Sequence, residues 1–187
     1  MEAVRPSSTN RLTLRLETNL LEALKKEAQN KDLTLNAMIN KILHRNISYD
    51  NNVNAVQCIT MSNDLFHEII KGISYNEIQE IGKNGPKIAR KLFSIAGIQY
   101  DLYHIIHNYF AVLSKYCGWF EFSHKEQYGK HRLVFSTEKD PKWSVFVQSY
   151  VKSILDSLKI IGINGLECDG IIVFEFMHKN ELPSITV

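Results

Sequence analysis

What the chain lacks narrows it first. It has three cysteines, Cys58, Cys117 and Cys168. They are odd in number, widely spaced and without a CxxC pair, which excludes a disulfide framework or a cysteine-rich zinc site and leaves buried free thiols as the expectation. No apolar run approaches the ~18 residues that span a bilayer, and the start of the chain is a polar tail without the apolar core of a signal peptide. No membrane partner and an intracellular, cytoplasmic location are therefore expected. There is no repeat at a solenoid period and no low-complexity tract. Neither a nucleophile elbow nor a phosphate loop, an HExxH or a paired-carboxylate arrangement occurs, so an enzyme reading has no catalytic residue to rest on.

Net charge is also small, +2 over the 187 residues, but it is unevenly placed. Residues 1–46 hold eight Lys plus Arg against five Asp plus Glu, net +3, and the remainder is net −1. An excess of positive charge at the front is what a phosphate-facing end requires.

That front end carries the most informative pattern. From Arg11 to Glu17 apolar and polar residues alternate strictly, placing Leu12, Leu14 and Leu16 on one face and Arg11, Thr13 and Arg15 on the other, the period of a half-buried strand. Two guanidinium groups can each fork onto guanine O6 and N7, and a threonine can offer its hydroxyl to a base and its methyl to thymine. Thr18 and Asn19 are expected to cap a first helix, with Leu20, Leu21, Leu24 and Ala28 at helical spacing, ending near Asn30. Asp32 and Leu33 connect to a second helix capped by Thr34, whose stripe is Met38, Ile39, Ile42 and Leu43, ending near Arg45.

One strand and two short helices cannot close a core, and a lone strand leaves its backbone groups unpaired, so the unit needs a partner chain. The order strand, helix, capped turn, helix over residues 9 to 46 closely resembles the ribbon-helix-helix DNA-binding family. The resemblance implies that two chains pair their strands into an antiparallel ribbon in the major groove of double-stranded DNA. It assigns base reading to Arg11, Thr13 and Arg15, and a phosphate anchor to Thr34 with the amides of Leu35 and Asn36. Two positions depart from the pattern: Asp32 stands where family members often carry Gly, and Leu35 where a polar or basic residue is common.

Three regions follow from this: a DNA-binding and dimerisation module over 1–46, a polar linker over 47–57, and a second domain over 58–187. In the second domain, helical stripes are expected from Leu65 to Ile73, from Tyr75 to Ile81, after the Asn84-Gly85-Pro86 break, and from Asp101 to Tyr116 up to Gly118. Strands at Trp119–Ser123 and His131–Ser136 would flank a Tyr128-Gly129 turn. Asp140-Pro141 starts a further helix, and a hairpin about Asp169-Gly170 joins Ile163–Cys168 to Ile171–Phe176. The fold class is α+β, a ribbon-helix-helix module followed by helices and a small antiparallel sheet.

In the second domain, Trp119 to Phe176, with Lys142-Trp143-Ser144 at a helix start, is similar in element order to the small-molecule-binding domains of haem-NO-binding and four-vinyl-reductase proteins, although no haem-ligating residue carries over. The resemblance implies a sensing or oligomerising role and a small-molecule effector as a partner. No metal site is assigned and no cofactor is named. His104 and His107, one helical turn apart, and His124 and His131 on the hairpin are the imidazoles that could contribute to a metal site, yet the first two fall off the apolar stripe, as on a solvated face. The aromatics from Tyr103 to Tyr150 suit an apolar pocket or plain core packing equally.

The reading is a homodimeric, sequence-specific transcriptional regulator, with higher oligomers left open. A DNA-binding antitoxin whose rear region wraps a toxin is the leading alternative; a metal-binding or enzymatic domain with a merely dimerising front module is the third.

Overall fold

The computed structural model describes residues 12–50, 61–137 and 140–178. The chain divides into two compact units between His44 and Arg45. Among the described residues no helix is long and apolar enough to cross a membrane.

The front unit is built on two helices, α1 (Thr18–Asn30) and α2 (Leu35–Arg45). The expected caps of α1 are displaced by one residue. Glu17 keeps extended torsions and is the N-cap, without a side-chain bond, while Asn19 Oδ1 accepts from the neighbouring Leu20 amide at 2.8 Å. The helix closes as a Schellman motif: the Leu33 amide reaches the Ala28 carbonyl and the Asp32 amide the Gln29 carbonyl. Asp32 takes the left-handed position of that motif, φ 51°, which explains why glycine suits it best. The interior is small, and Ala28 and Met38 are its buried residues among those described. Beyond α2, Asn46–Asp50 at the start of the expected linker forms a π-helical turn; residues 51–57 of that linker, and Cys58, lie outside the described residues.

In the rear unit, α3 (Asn63–Lys71) is capped by Ser62 and α4 (Tyr75–Gly82) by a reciprocal Ser74–Glu77 capping box. Helix α5 (Gly85–Ala96) starts with Pro86 in its first turn and ends at left-handed Gly97. A continuous helix over residues 102–117, α6, is capped by Asp101 and wound mostly as π-turns, Ile105–Phe110 and Leu113–Cys117, up to left-handed Gly118. Strands β1 (Glu121–Gln127) and β2 (Lys130–Ser136) come next. The long α7 (Pro141–Ser157) has Asp140 as its cap, and β3 (Asn164–Cys168) and β4 (Ile171–Met177) complete the unit. The first strand lies two residues later than Trp119 and runs on to Gln127, since the inward alternation continues through His124.

The four strands form an antiparallel sheet in the order β1-β2-β4-β3. Both hairpins turn through two residues with positive φ, Tyr128 (52°) with Gly129 (74°) and Asp169 (48°) with Gly170 (78°), the turn geometry whose twist matches the strands. His131, Leu133 and Phe135 of β2 and Ile172, Phe174 and Phe176 of β4 are buried; Arg132 and Glu175, paired in register, lie on the other face, where they form an ion pair. One face on the core and one on water is the usual economy of an antiparallel sheet.

The core joins that sheet to Ile105, Ile106, Tyr109 and Phe110 of α6 and to Val147, Tyr150, Val151, Ile154 and Leu155 of α7. Helices α4 and α5 also pack on α7. Their approach is close enough to require glycine. A Cβ on Gly82 would lie 2.9 Å from the Phe146 carbonyl oxygen, and one on Gly85 2.8 Å from that of Tyr150. Ser149 Oγ donates to the Gln79 carbonyl across the same contact at 2.7 Å.

Candidate functional site

In the front unit, residues 12–17 have no strand partner within the described chain. Leu12, Leu14 and Leu16 are 72, 48 and 37% exposed, so the described residues cover the apolar face of the alternating segment only in part. Leu20, Ile42 and Leu43 add further exposed apolar surface to the unit. Thr13 and Arg15 are exposed, and Arg11 lies outside the described residues. At α2 the expected anchor has the geometry of a capped helix start: Thr34 Oγ1 accepts from the Ala37 amide at 3.1 Å and its carbonyl from Met38 at 2.9 Å. No acidic side chain stands in the first turn. Asn36 is exposed and Leu35 partly so, which leaves the positive end of the helix dipole open to an anion.

The rear unit separates the four histidines singled out from sequence. His104 is tied down locally, because the Asp101 carboxylate accepts from its amide and bonds its Nδ1, each at 2.9 Å. The other three converge. Cross-strand register places Glu126 opposite His131 and His131 opposite Phe176, and His124, two residues from Glu126, shares their face. His107 reaches this cluster from α6, 5.9 Å from His124 between ring centres, with Tyr103 4.6 Å from it on the same helix.

His124 Nε2 lies 3.0 Å from His131 Nδ1, while the ring centres are 5.2 Å apart and the planes only 6° from parallel. An imidazole nitrogen sits about 1.1 Å from its ring centre, a consequence of covalent ring geometry. A centre separation that nearly equals the nitrogen separation plus two such radii therefore places the rings end to end, along a shared N–H···N axis. His131 is 2% exposed, and its Nε2 is buried without a hydrogen-bond partner. His178 is 6.3 Å away between ring centres. Burial holds His131 below the usual imidazole range, opposed by Glu126 and the His178 main chain. Burial, with His131 and His107 beside it, does the same to His124.

Among the described residues no group of three or more His, Cys, Asp or Glu side chains is placed to hold a metal ion. The facing nitrogens of His124 and His131 are turned on each other, and His104 is occupied by Asp101. Sequence reasoning missed Glu126 and His178, although strand parity could have found both: they follow His124 and Phe176 by two residues.

The aromatics are engaged with one another. Trp143 meets Phe66, Trp119 and Phe146 at 4.9, 5.4 and 4.8 Å, and Phe135 meets Phe110, Phe120 and Phe122. Trp143 Nε1 donates to the Trp119 carbonyl at 2.7 Å. The buried hydroxyls of Tyr109 and Tyr150 bond each other, and burial pushes both phenols far up, so neither ionises. The Lys142-Trp143-Ser144 tripeptide acts structurally: Lys142 Nζ donates to the carbonyls of Lys71 (2.9 Å) and Ile73 (2.7 Å), closing the C-terminus of α3, and Ser144 bonds Thr137.

Compared with known proteins, the chain matches no family model, no curated protein and no solved structure.

Proposed function

We propose that the chain is a sequence-specific DNA-binding regulator of transcription that reads the major groove of double-stranded DNA with a β-ribbon made by two copies. The single observation that carries this reading is the strict alternation of residues 11–17, whose three leucines are left largely to partly exposed by the described residues while basic side chains occupy alternate positions. A purely dimerising ribbon has no need of Arg11 and Arg15. The open, capped start of α2 at Thr34, Leu35 and Asn36 supports a phosphate anchor beside the ribbon. The rear unit, folded about its own core, takes the sensing or oligomerising role; that core also argues against a toxin-wrapping tail, which would stay unfolded until bound. A cytoplasmic location accords with this activity.

Selection of bound duplexes from a random pool by the full-length protein tests the reading. It should return a repeated half-site at short spacing. Arg15→Ala should then cost about 1–3 kcal/mol per base contact, twice over in a symmetric dimer, and lower specific binding more than non-specific binding. Unchanged affinity and preference in Arg15→Ala would remove the ribbon as the reading surface.

A further inference from the structure

We propose that the His124–His131 pair is a proton-operated latch that fastens β1 to β2, with the His131 ring set against Phe176 of β4, and that opens when the pair gains two protons. The geometry makes it a latch. The end-to-end imidazoles, 3.0 Å between nitrogens, need one N–H and one bare lone pair facing each other, a pairing available to the neutral pair and to the pair with one added proton but not with two. His131 stands opposite Phe176 in the strand register, its ring 5.3 Å from that of Phe176 and 8° from parallel. The neighbouring backbone link, His178 amide to Gly129 carbonyl at 2.9 Å, ties the hairpin turn to the same end of β4.

Proton counting gives the latch its steepness. A first added proton leaves the bridge intact but charged, with an N–H on one bridging nitrogen and a lone pair on the other. A second puts an N–H on both, and two cations then face each other at a separation made for donor and acceptor. The bridge breaks, and His131 must move toward water, because its buried Nε2 has no partner of good hydrogen-bond geometry and only the His178 main chain nearby to favour charge there, and a buried, poorly paired cation is far costlier than a hydrated one. The groups facing the pair are His107 from α6, Glu126 from β1 and His178 beyond β4. Lys125, Lys130, Arg132 and Glu175 occupy the opposite face of the sheet by register. Of the facing groups, the Glu126 carboxylate and the His178 main chain favour charge on His131, against the burial that opposes it.

The sign follows from the depressed imidazoles. Above the ordinary histidine value of 6.5 both states are neutral and stability does not depend on this pair. Below it the unfolded chain binds protons that the closed fold refuses, so stability falls as pH falls until the folded-state titration is reached.

The test is an NMR titration of the full chain with labelled imidazole nitrogens, from about pH 8 to about pH 5, joined to urea unfolding at each pH. Below the ordinary histidine range the unfolding constant should rise about tenfold per pH unit for each proton in deficit, approaching a hundredfold for two. The two rings should titrate together, and amide protection should be lost at Gly129, Lys130 and His178 before the rest of the sheet. His131→Phe, which keeps a ring against Phe176, and His124→Asn, at a partly exposed position, should each flatten the pH dependence, whereas His107→Asn should keep it. Separate titration of the two rings at ordinary values with protection unchanged would overturn the proposal. So would wild-type steepness in His124→Asn, which remains informative if His131→Phe does not fold.

Discussion

Lys142 shows how much one side chain can carry that its residue type does not announce. Its ammonium replaces the missing partners of the last carbonyls of α3, the role a cation plays at a helix C-terminus, and it lies 5.6 Å from the centre of the Tyr75 ring. Lys142→Met keeps the length of the stem and removes the donors, so it should destabilise the rear unit by about 1.5–3 kcal/mol, the range for hydrogen bonds to a charged group; urea unfolding followed by tryptophan fluorescence would measure it. Local roles were legible in sequence where chemistry and position coincide, as at Thr34 and Asp140, whose side chains cap the helices expected of them. Thr18 and Asn19 misled because several polar residues in a row can each serve as a cap, and only the torsions of Glu17 decide. Lys142 was noticed as part of a tripeptide but not understood, because its partners lie about seventy residues away.

Elements were legible to the extent that their periodicity and punctuation were. The two I′-type turns at Tyr128-Gly129 and Asp169-Gly170, the α7 start and the α5 break all stand in the sequence as residues with special backbone requirements. What the sequence concealed were the inward polar residues of β1. An alternation reading Phe122, His124, Glu126 looks like a strand running out, although it continues to Gln127 with the histidine beneath the sheet. The contacts of α4 and α5 with α7 were equally hidden, since a glycine in a helix signals weakness until a second backbone is seen against it. Gly82→Ala and Gly85→Ala should each raise helix propensity locally and still destabilise the protein, by about 1–3 kcal/mol, because the added methyl meets main-chain oxygen that cannot move aside. Thermal unfolding of the two variants checks this, and a gain in stability would contradict the close approach.

The molecule as a whole consists of two units with different completeness. The rear unit has its own core, and its α+β class agrees with what the sequence implied. Among the described residues the front unit buries only Ala28 and Met38 and leaves the leucines of residues 12–16 partly exposed, which is why the alternation of residues 11–17 suggested a partner from sequence alone. Leu14→Glu should place an unpaired carboxylate in the shared core of a dimer and abolish dimerisation. Sedimentation should show a monomer, while the unfolding transition of the rear unit persists. A dimer of wild-type strength in that variant would refute the ribbon as the interface.

The strand order has a bearing on how the protein is made. Because β4 is the last strand among the described residues yet lies between β2 and β3, a growing chain that has completed α7 still has β2 as an open edge, with Leu133 and Phe135 lacking their cross-strand partners Phe174 and Ile172. A ribosome must deliver nearly all of the described chain before the sheet can be sealed, and until then that edge offers seven residues of backbone to any other strand. Synthesis that stalls between Ser157 and Ile171 would therefore yield a chain prone to pair with its neighbours, because the sheet cannot close before β4 has emerged.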